Sequence, residues 1–76
     1  MENKLNEKTN FSAFGQRIRQ LRKDHGLTQE QLAEKTGLHH NYIGMVERGE
    51  RNLALVNIEI FAKAFDLSLS ELFIFG

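Results

Sequence analysis

The stretch TQEQLAEKTGLHHNYIGMVERGE, residues 28–50, contains two short amphipathic segments separated by Gly37. Its apolar side chains recur at helical spacing within each segment: Leu32, Ala33, Tyr42, Ile43 and Val46. Helices this short are not stable alone in water, because nucleation costs more than their few hydrogen bonds return. The stretch therefore predicts two helices that depend on a scaffold formed by the rest of the chain.

Two longer apolar stripes, one on each side of this stretch, supply that scaffold. Both have the three- and four-residue spacing of one helix face: Phe11, Phe14, Ile18 and Leu21 before it, and Leu55, Ile58, Phe61, Ala62 and Phe65 after it. Gly26 can cap the first of these helices, which we expect to end near His25. Thr28 with Gln31, and Ser68 with Glu71, have the spacing of capping boxes. No strand-like alternation occurs, so we predict an all-α fold of five helices.

The ends of the predicted elements follow from the same pattern. Residues 1–10 are polar and unpatterned, and we interpret them as a mobile N-terminal arm. Residues 11–76 form the predicted domain. Its second helix should span about residues 28 to 35 or 36 and its third about 39 to 48, and Gly49 should end the third. Ala54 offers no side-chain cap at the start of the fourth.

The composition limits which cellular compartment and which class of binding partner are expected for the protein. The 76 residues include no cysteine and no proline, and no apolar run is long enough to cross a membrane. The N-terminus lacks the apolar region of a signal peptide, so we expect a cytoplasmic protein without a membrane partner. The net charge of zero conceals an asymmetry, because residues 11–51 carry seven basic and five acidic residues. These charges indicate either a solvated surface or a site for an acidic partner.

Catalytic and metal-binding chemistry finds little support in the sequence. An enzyme needs a nucleophile with a base, or paired carboxylates in a pocket, whereas Ser68 and Ser70 have the positions of capping and turn residues. Adjacent histidines on a helix point about 100° apart, so His39 and His40 do not form a metal site. We expect no enzymatic activity, no metal, no cofactor and no small-molecule ligand.

A helix, a glycine turn and a second helix form the helix-turn-helix arrangement. Ala33 is small where the two helices would cross, and Gly37 permits the turn. The exposed face of the third helix then carries five residues: His40, Asn41, Gly44, Met45 and Arg48. Such a helix fits the major groove of DNA, where side chains near its N-terminus reach base edges. Met45 fits either a groove contact or packing at the helix edge.

Residues 14–73 resemble the Cro/repressor-type, or XRE-like, helix-turn-helix family. The matching segments are GLTQEQLAEKTGL (26–38), YIGMVERGERNL (42–53) and AFDLSLSELF (64–73). YIGMVERGERNLALVNI is similar to the controller proteins that time the expression of restriction–modification genes. The resemblance implies a compact five-helix bundle of the lambda-repressor-like DNA-binding type, with its second and third helices as the helix-turn-helix.

The resemblance also implies roles for individual residues. His40 and Asn41 match base-reading positions, with Gly44 and Met45 on the same groove-facing side. Gln29 and Arg51 match positions at the DNA backbone. Independently of the resemblance, Arg17 and Arg48 are expected there from their charge, and Tyr42 from its hydroxyl. Tyr42 also fits a position at the edge of the core, from which its hydroxyl reaches a phosphate.

The same resemblance pairs Arg22 with Glu47 as a partly buried ion pair that ties the first helix to the third. One departure concerns His40, because controller-like sequences often have arginine there. Histidine offers one donor when neutral, whereas arginine reads guanine through two hydrogen bonds. The base preference at this position is therefore open.

The C-terminal residues are unusually apolar for the end of so small a domain. We expect a homodimer interface that contains Leu69, Leu72, Phe73, Ile74 and Phe75, since an exposed patch of this kind marks a partner surface. The alternative is that these residues fold back onto the core. A dimer would place two recognition helices about 34 Å apart, one turn of DNA.

Two functions follow from these observations. The first is a dimeric, sequence-specific regulator that binds double-stranded DNA at a near-palindromic operator and regulates its own operon, with RNA polymerase as a candidate partner. The alternative is a protein-interaction module, antitoxin-like or an accessory partner, that retains the fold and binds DNA weakly. Salt dependence separates them, because neutralising phosphates makes affinity fall steeply with salt.

Overall fold

The structure is a computed structural model that describes the backbone of residues 2–74 and the side chains of residues 11–74. Over this range the chain forms five α-helices and no strand, which confirms the all-α prediction. They are α1 (Glu2–Asp24), α2 (Gln29–Thr36), α3 (His40–Glu47), α4 (Leu55–Ala64) and α5 (Leu69–Leu72). None of the described helices is both long enough and apolar enough to span a membrane.

The start of α1 differs from the prediction. We expected the helix to begin at Phe11, after a mobile arm, but its backbone is helical from Glu2. Residues 2–10 contain neither glycine nor proline, so nothing in them interrupts a helix that the packed residues after Phe11 nucleate. The mobility of this segment stays a prediction, and Met1 lies outside the described residues.

The connections from α1 to α2 and from α4 to α5 have the same construction. Each helix ends in a Schellman motif, with Gly26 (φ 69°) in one case and Asp66 (φ 60°) in the other at the left-handed position. At the first joint the N–H of Leu27 donates to the carbonyl of Arg22 at 3.0 Å. Glycine adopts this conformation without a Cβ penalty, and aspartate is one of the few other residues that tolerates it.

The helix after each joint begins with the capping box that the sequence predicted. At α2 the Thr28 hydroxyl accepts from the Gln31 N–H at 3.0 Å, and the Gln31 amide oxygen accepts from the Thr28 N–H at 2.8 Å. Ser68 and Glu71 repeat the arrangement at α5, at 3.1 and 2.9 Å. These bonds satisfy backbone donors that a short helix otherwise exposes.

One buried cluster holds the helices together and gives the short α2 and α3 their scaffold. Its members come from every described helix: Phe14, Ile18, Leu21, Leu32, Ala33, Ile43, Val46, Phe61, Ala62, Phe65 and Leu72. At Gly15 the backbones of α1 and α3 approach so closely that a Cβ there would lie 2.8 Å from the Glu47 carbonyl oxygen. The end of α3 is therefore seated directly on α1.

Candidate nucleic-acid interface

The inner side of α3 is fixed by the ion pair between Arg22 and Glu47. The guanidinium Nε lies 2.6 Å from Glu47 Oε2, and Nη2 lies 3.0 Å from Oε1. The side chains are only 12% and 4% exposed, so the pair is held in a low-dielectric setting where it is much less screened than a surface pair. Arg22 also donates to the Leu27 carbonyl at 2.9 Å. The pair predicted from the sequence thus lies between α1 and the last turn of α3.

Gln29 extends this network to α2. Its Nε2 donates to Glu47 Oε1 at 3.1 Å, so the Glu47 carboxylate receives hydrogen bonds from both α1 and α2. One hydrogen of the Gln29 amide is thereby used inside the protein, and the other remains on a side chain that is otherwise exposed. The position of α3 relative to α2 therefore depends on side chains as well as on the turn at Gly37.

Gly44 is not the open groove-facing position that the sequence predicted. It is buried, and a Cβ there would lie 3.2 Å from Arg48 Nη1 and 3.6 Å from Gln29 Oε1. Because glycine has no side chain, the ends of these two long side chains lie over the backbone at this point.

Arg48 lies at the C-terminal end of α3 in an exposed pair with Glu50. Its Nε is 2.9 Å from Glu50 Oε2, and its Nη2 is 3.2 Å from Oε1. The direct hydrogen bond, aided by the opposite charge, raises the pKa of Arg48 and lowers the pKa of the Glu50 carboxyl. Glu50 is therefore charged at neutral pH and competes with any phosphate for Arg48.

The N-terminal end of α3 presents its polar residues to solvent. His40 and Asn41 are exposed, as the sequence predicted, and Met45 is half-buried. His39 precedes the helix as its N-cap, and its Nδ1 accepts from the Asn41 N–H at 3.1 Å. The rings of His39 and His40 stack with centroids 4.7 Å apart. We predicted that His39 would begin the helix; instead it caps it, because its ring nitrogen lies within reach of a free N–H.

Tyr42 connects α3 to the loop that follows it and to α4. Its hydroxyl accepts from Asn57 Nδ2 at 3.0 Å, and the guanidinium carbon of Arg51 lies 5.4 Å from the centre of its ring. Tyr42 is half-buried, which agrees with the predicted core-edge position. Asn57 carried no signal in the sequence, where it is one polar residue on an amphipathic helix.

Comparison with known proteins agrees with this geometry. A helix-turn-helix family model matches residues 18–72. The chain belongs to the helix-turn-helix family. The control protein C.SmaI of Serratia marcescens is 49% identical to it over 59 residues, which cover 78% of this chain and 70% of that protein.

Solved structures of the family superpose closely on this helix-turn-helix protein. The restriction–modification controller protein C.AhdI from Aeromonas hydrophila is 51% identical, with a TM-score of 0.82 over 86% of this chain and 98% of that chain. The controller protein C.Esp1396I, solved as a tetramer with its natural 35-base-pair operator, is 35% identical, with a TM-score of 0.76 over 83% of each chain. The resemblance drawn from the sequence is confirmed.

Arg17 of the helix-turn-helix protein bonds to α5, and its predicted contact with the DNA backbone stays a prediction. Its Nε donates to the Leu72 carbonyl at 3.0 Å, and its Nη2 donates to the Glu71 carbonyl at 2.8 Å. A cation is favourable at these carbonyls because a helix C-terminus carries partial negative charge. Arg17 therefore caps α5.

The predicted dimer residues divide into two groups. Leu72 is fully buried within the protomer, so it belongs to the core and offers no surface to a partner, since α5 turns it inward. Leu69, Phe73 and Ile74 are 37%, 45% and 61% exposed, although the Phe73 ring also packs on Phe14, 5.5 Å away. Phe75 lies outside the described residues.

The apolar surface extends further than the sequence indicated. Leu55 and Val56, in the first turn of α4, are 63% and 59% exposed. A shallow groove joins Val56 and Ile60 of α4 to Leu69 of α5. We call this groove, lined by Val56, Ile60 and Leu69 together with the charged Glu59 and Lys63, the apolar face; Leu55 and Ile74 are further exposed apolar residues. Among the described residues, no cluster of three or more histidines and carboxylates is placed to bind a metal ion.

Proposed function

We propose that this helix-turn-helix protein is a sequence-specific, double-stranded DNA-binding transcriptional regulator of the restriction–modification controller type. The observation that carries the proposal is the exposed N-terminal end of α3, with Arg48 and Arg51 beyond its other end. Its opposite side is fixed by Arg22, Glu47 and Gln29. A helix anchored on one side and polar on the other is what a major-groove reader requires.

The roles of the exposed residues follow from their chemistry. His40 and Asn41 stand at the end of α3 that enters the groove first, where an asparagine amide pairs with adenine and a histidine offers one donor or acceptor. Arg48, Arg51 and Tyr42 carry donors that suit phosphate oxygens. Arg48 must exchange its bonds to Glu50 for bonds to DNA, which lowers the net gain from that contact.

The apolar face supports a homodimer. Burying side chains such as Val56 and Leu69 removes apolar surface from water at about 25 cal/mol per Å². A two-fold dimer presents α3 twice, and two half-sites about 34 Å apart make a near-palindromic operator. The operator-bound tetramer of C.Esp1396I supports this arrangement. We also propose that the protein acts in the cytoplasm, regulates its own operon and contacts RNA polymerase.

A second candidate is a protein-interaction module with weak DNA binding. It is favoured by the neutralisation of Arg48 by Glu50 and by the net charge of zero. A protein partner would lie on the apolar face or in place of DNA against α3. Its affinity would depend little on salt, in contrast to phosphate contacts.

Selection of bound duplexes from a random library by the purified protein tests the proposal. We expect two inverted half-sites about one helical turn apart. Binding to the selected duplex should weaken steeply with salt, by a log–log slope near −0.9 per phosphate contact. His40→Ala and Asn41→Ala should relax the base preference at separate positions, whereas Lys35→Ala, an exposed change on α2, should leave it intact. If no motif is recovered, or if binding is insensitive to salt, the DNA-binding proposal is rejected and the second candidate is favoured.

A further inference from the structure

Asn57 lies in the second half of the first turn of α4, and its contact reaches back to the candidate DNA face. The amide donates to the Tyr42 hydroxyl at 3.0 Å, across 15 residues of sequence. Arg51, in the loop between α3 and α4, stacks over the same tyrosine ring. Three residues from three consecutive segments therefore form one connected group, which we call the Tyr42 group.

We propose that Asn57 is a positioning residue for DNA-backbone contacts made by Tyr42 and Arg51. The inference rests on the proposed function, since it concerns how the same surface meets phosphate. Asn57 itself is not assigned a contact with DNA. It acts through the orientation of the tyrosine hydroxyl and through the support that the ring gives to Arg51.

The direction of the hydrogen bond is the first part of the argument. A phenol has one hydrogen to donate and an oxygen that also accepts. Because Asn57 donates to that oxygen, the hydrogen of Tyr42 stays available for an acceptor outside the protein. A phosphate oxygen only accepts, so a hydroxyl held in this way is correctly polarised for it. An aspartate at position 57 would reverse the bond and take the hydrogen for itself.

The aromatic ring is the second part of the argument. Arg51 lies in a segment without helical structure, and its guanidinium carbon is 5.4 Å from the ring centre, within the range of a cation–π contact. A long, exposed arginine loses rotamer freedom when it binds phosphate. Stacking on a ring that Asn57 holds in place removes part of that freedom before DNA arrives, which is preorganisation.

The test is a double-mutant cycle in DNA binding with Asn57→Ala, Tyr42→Phe and the double variant. Dissociation constants on the selected operator duplex are measured by fluorescence anisotropy over a salt series, and melting is followed by circular dichroism. We expect Asn57→Ala to weaken binding by about two- to tenfold, the range that one hydrogen bond supplies. In the Tyr42→Phe background the same change should have almost no further effect, because its target is gone.

Two further variants make the result specific. Asn57→Asp keeps the size of the side chain and should weaken binding more than Asn57→Ala, as it removes the donated hydrogen and adds negative charge. Gln20→Ala removes an amide that bonds Asp24 on α1 at 2.8 Å and should leave binding unchanged. A purely structural role would lower the melting temperature in both backgrounds and give additive effects on affinity.

The outcomes separate the two proposals. If the wild-type protein selects no sequence, the proposed function fails and the inference fails with it. If the wild type binds its operator and Asn57→Ala or Asn57→Asp binds equally well, only the inference is overturned. Additive losses in the double variant overturn it as well. Where Asn57→Ala does not fold, the near-isosteric Asn57→Asp replaces it in the cycle with Tyr42→Phe, and an equal loss of affinity in both backgrounds overturns the inference.

Discussion

Replacing Gly15 with alanine sets two physical effects against each other. Alanine is the better helix former by about 1 kcal/mol, so propensity alone predicts that the variant gains stability. The new Cβ, however, would lie 2.8 Å from the Glu47 carbonyl oxygen, 3.0 Å from its carbon and closer still to the Val46 oxygen. These are backbone atoms of α3, and they cannot rotate away.

The size of the effect follows from that geometry. Carbon atoms pack at about 3.5–4.0 Å, so α1 and the end of α3 must separate. Overpacking of a core costs about 1–3 kcal/mol, and a collision with backbone belongs at the upper end. After subtracting the helix gain, we expect Gly15→Ala to lose about 2 kcal/mol of unfolding free energy. For a domain of this size that lowers the melting temperature by roughly 10 °C.

Urea and thermal unfolding followed by far-ultraviolet circular dichroism measure this loss, at one protomer concentration because association adds to apparent stability. Gly44→Ala is the matched control, with the same gain in helix propensity. Its Cβ would approach only the flexible ends of Arg48 and Gln29, at 3.2 and 3.6 Å, so we expect no loss of stability. The reasoning is refuted if Gly15→Ala unfolds at the same urea concentration as the wild type or higher.

Two further substitutions address the ion pair and the apolar face. Arg22→Ala leaves the buried Glu47 carboxylate without its guanidinium and should cost about 3 kcal/mol in unfolding free energy, whereas Arg19→Ala, at an exposed position, should change it by about 0.5 kcal/mol or less; equal melting temperatures would contradict the assigned pair. Val56→Glu should shift sedimentation equilibrium toward the monomer because it places charge in the apolar face, and Gln16→Glu, the same charge change at an exposed site on α1, should not. If Val56→Glu and the wild type have equal association constants, α4 is not part of the dimer interface.

The features that the sequence predicted correctly are those decided within about four residues. Both capping boxes, at Thr28 and Ser68, join residues three positions apart, and Gly26 ends α1 through bonds within its own last turn. The apolar spacing that predicted α1 and α4 likewise involves residues only three or four positions apart. The pair of Arg22 and Glu47 spans 25 residues and was predicted only through the resemblance to a family.

The predictions that the structure changes depend on neighbours distant in sequence. Arg17 was expected at DNA because of its charge, which could not reveal that it donates to two carbonyls on α5, 54 and 55 residues away. Gly44 looked open because its own side chain is absent, yet side chains from elsewhere cover it. Asn57 could not be identified as a functional residue from the sequence, because its role depends on its hydrogen bond to the hydroxyl of Tyr42. Charge and exposure on one helix do not reveal which surface a long side chain will reach.

Arg17 and Arg22 lie on the same helix and hold different parts of the molecule. Arg22 fixes the position of α3 through Glu47. Arg17 donates to the last two carbonyls of α5, the helix that carries Leu69 of the apolar face. In the proposed dimer, α1 therefore sets the distance between the surface that reads bases and the surface that contacts the second subunit. The tolerated distance between half-sites would then depend on α1 as well as on α3, and operators that differ only in spacing would be distinguished without any change in the residues that read bases.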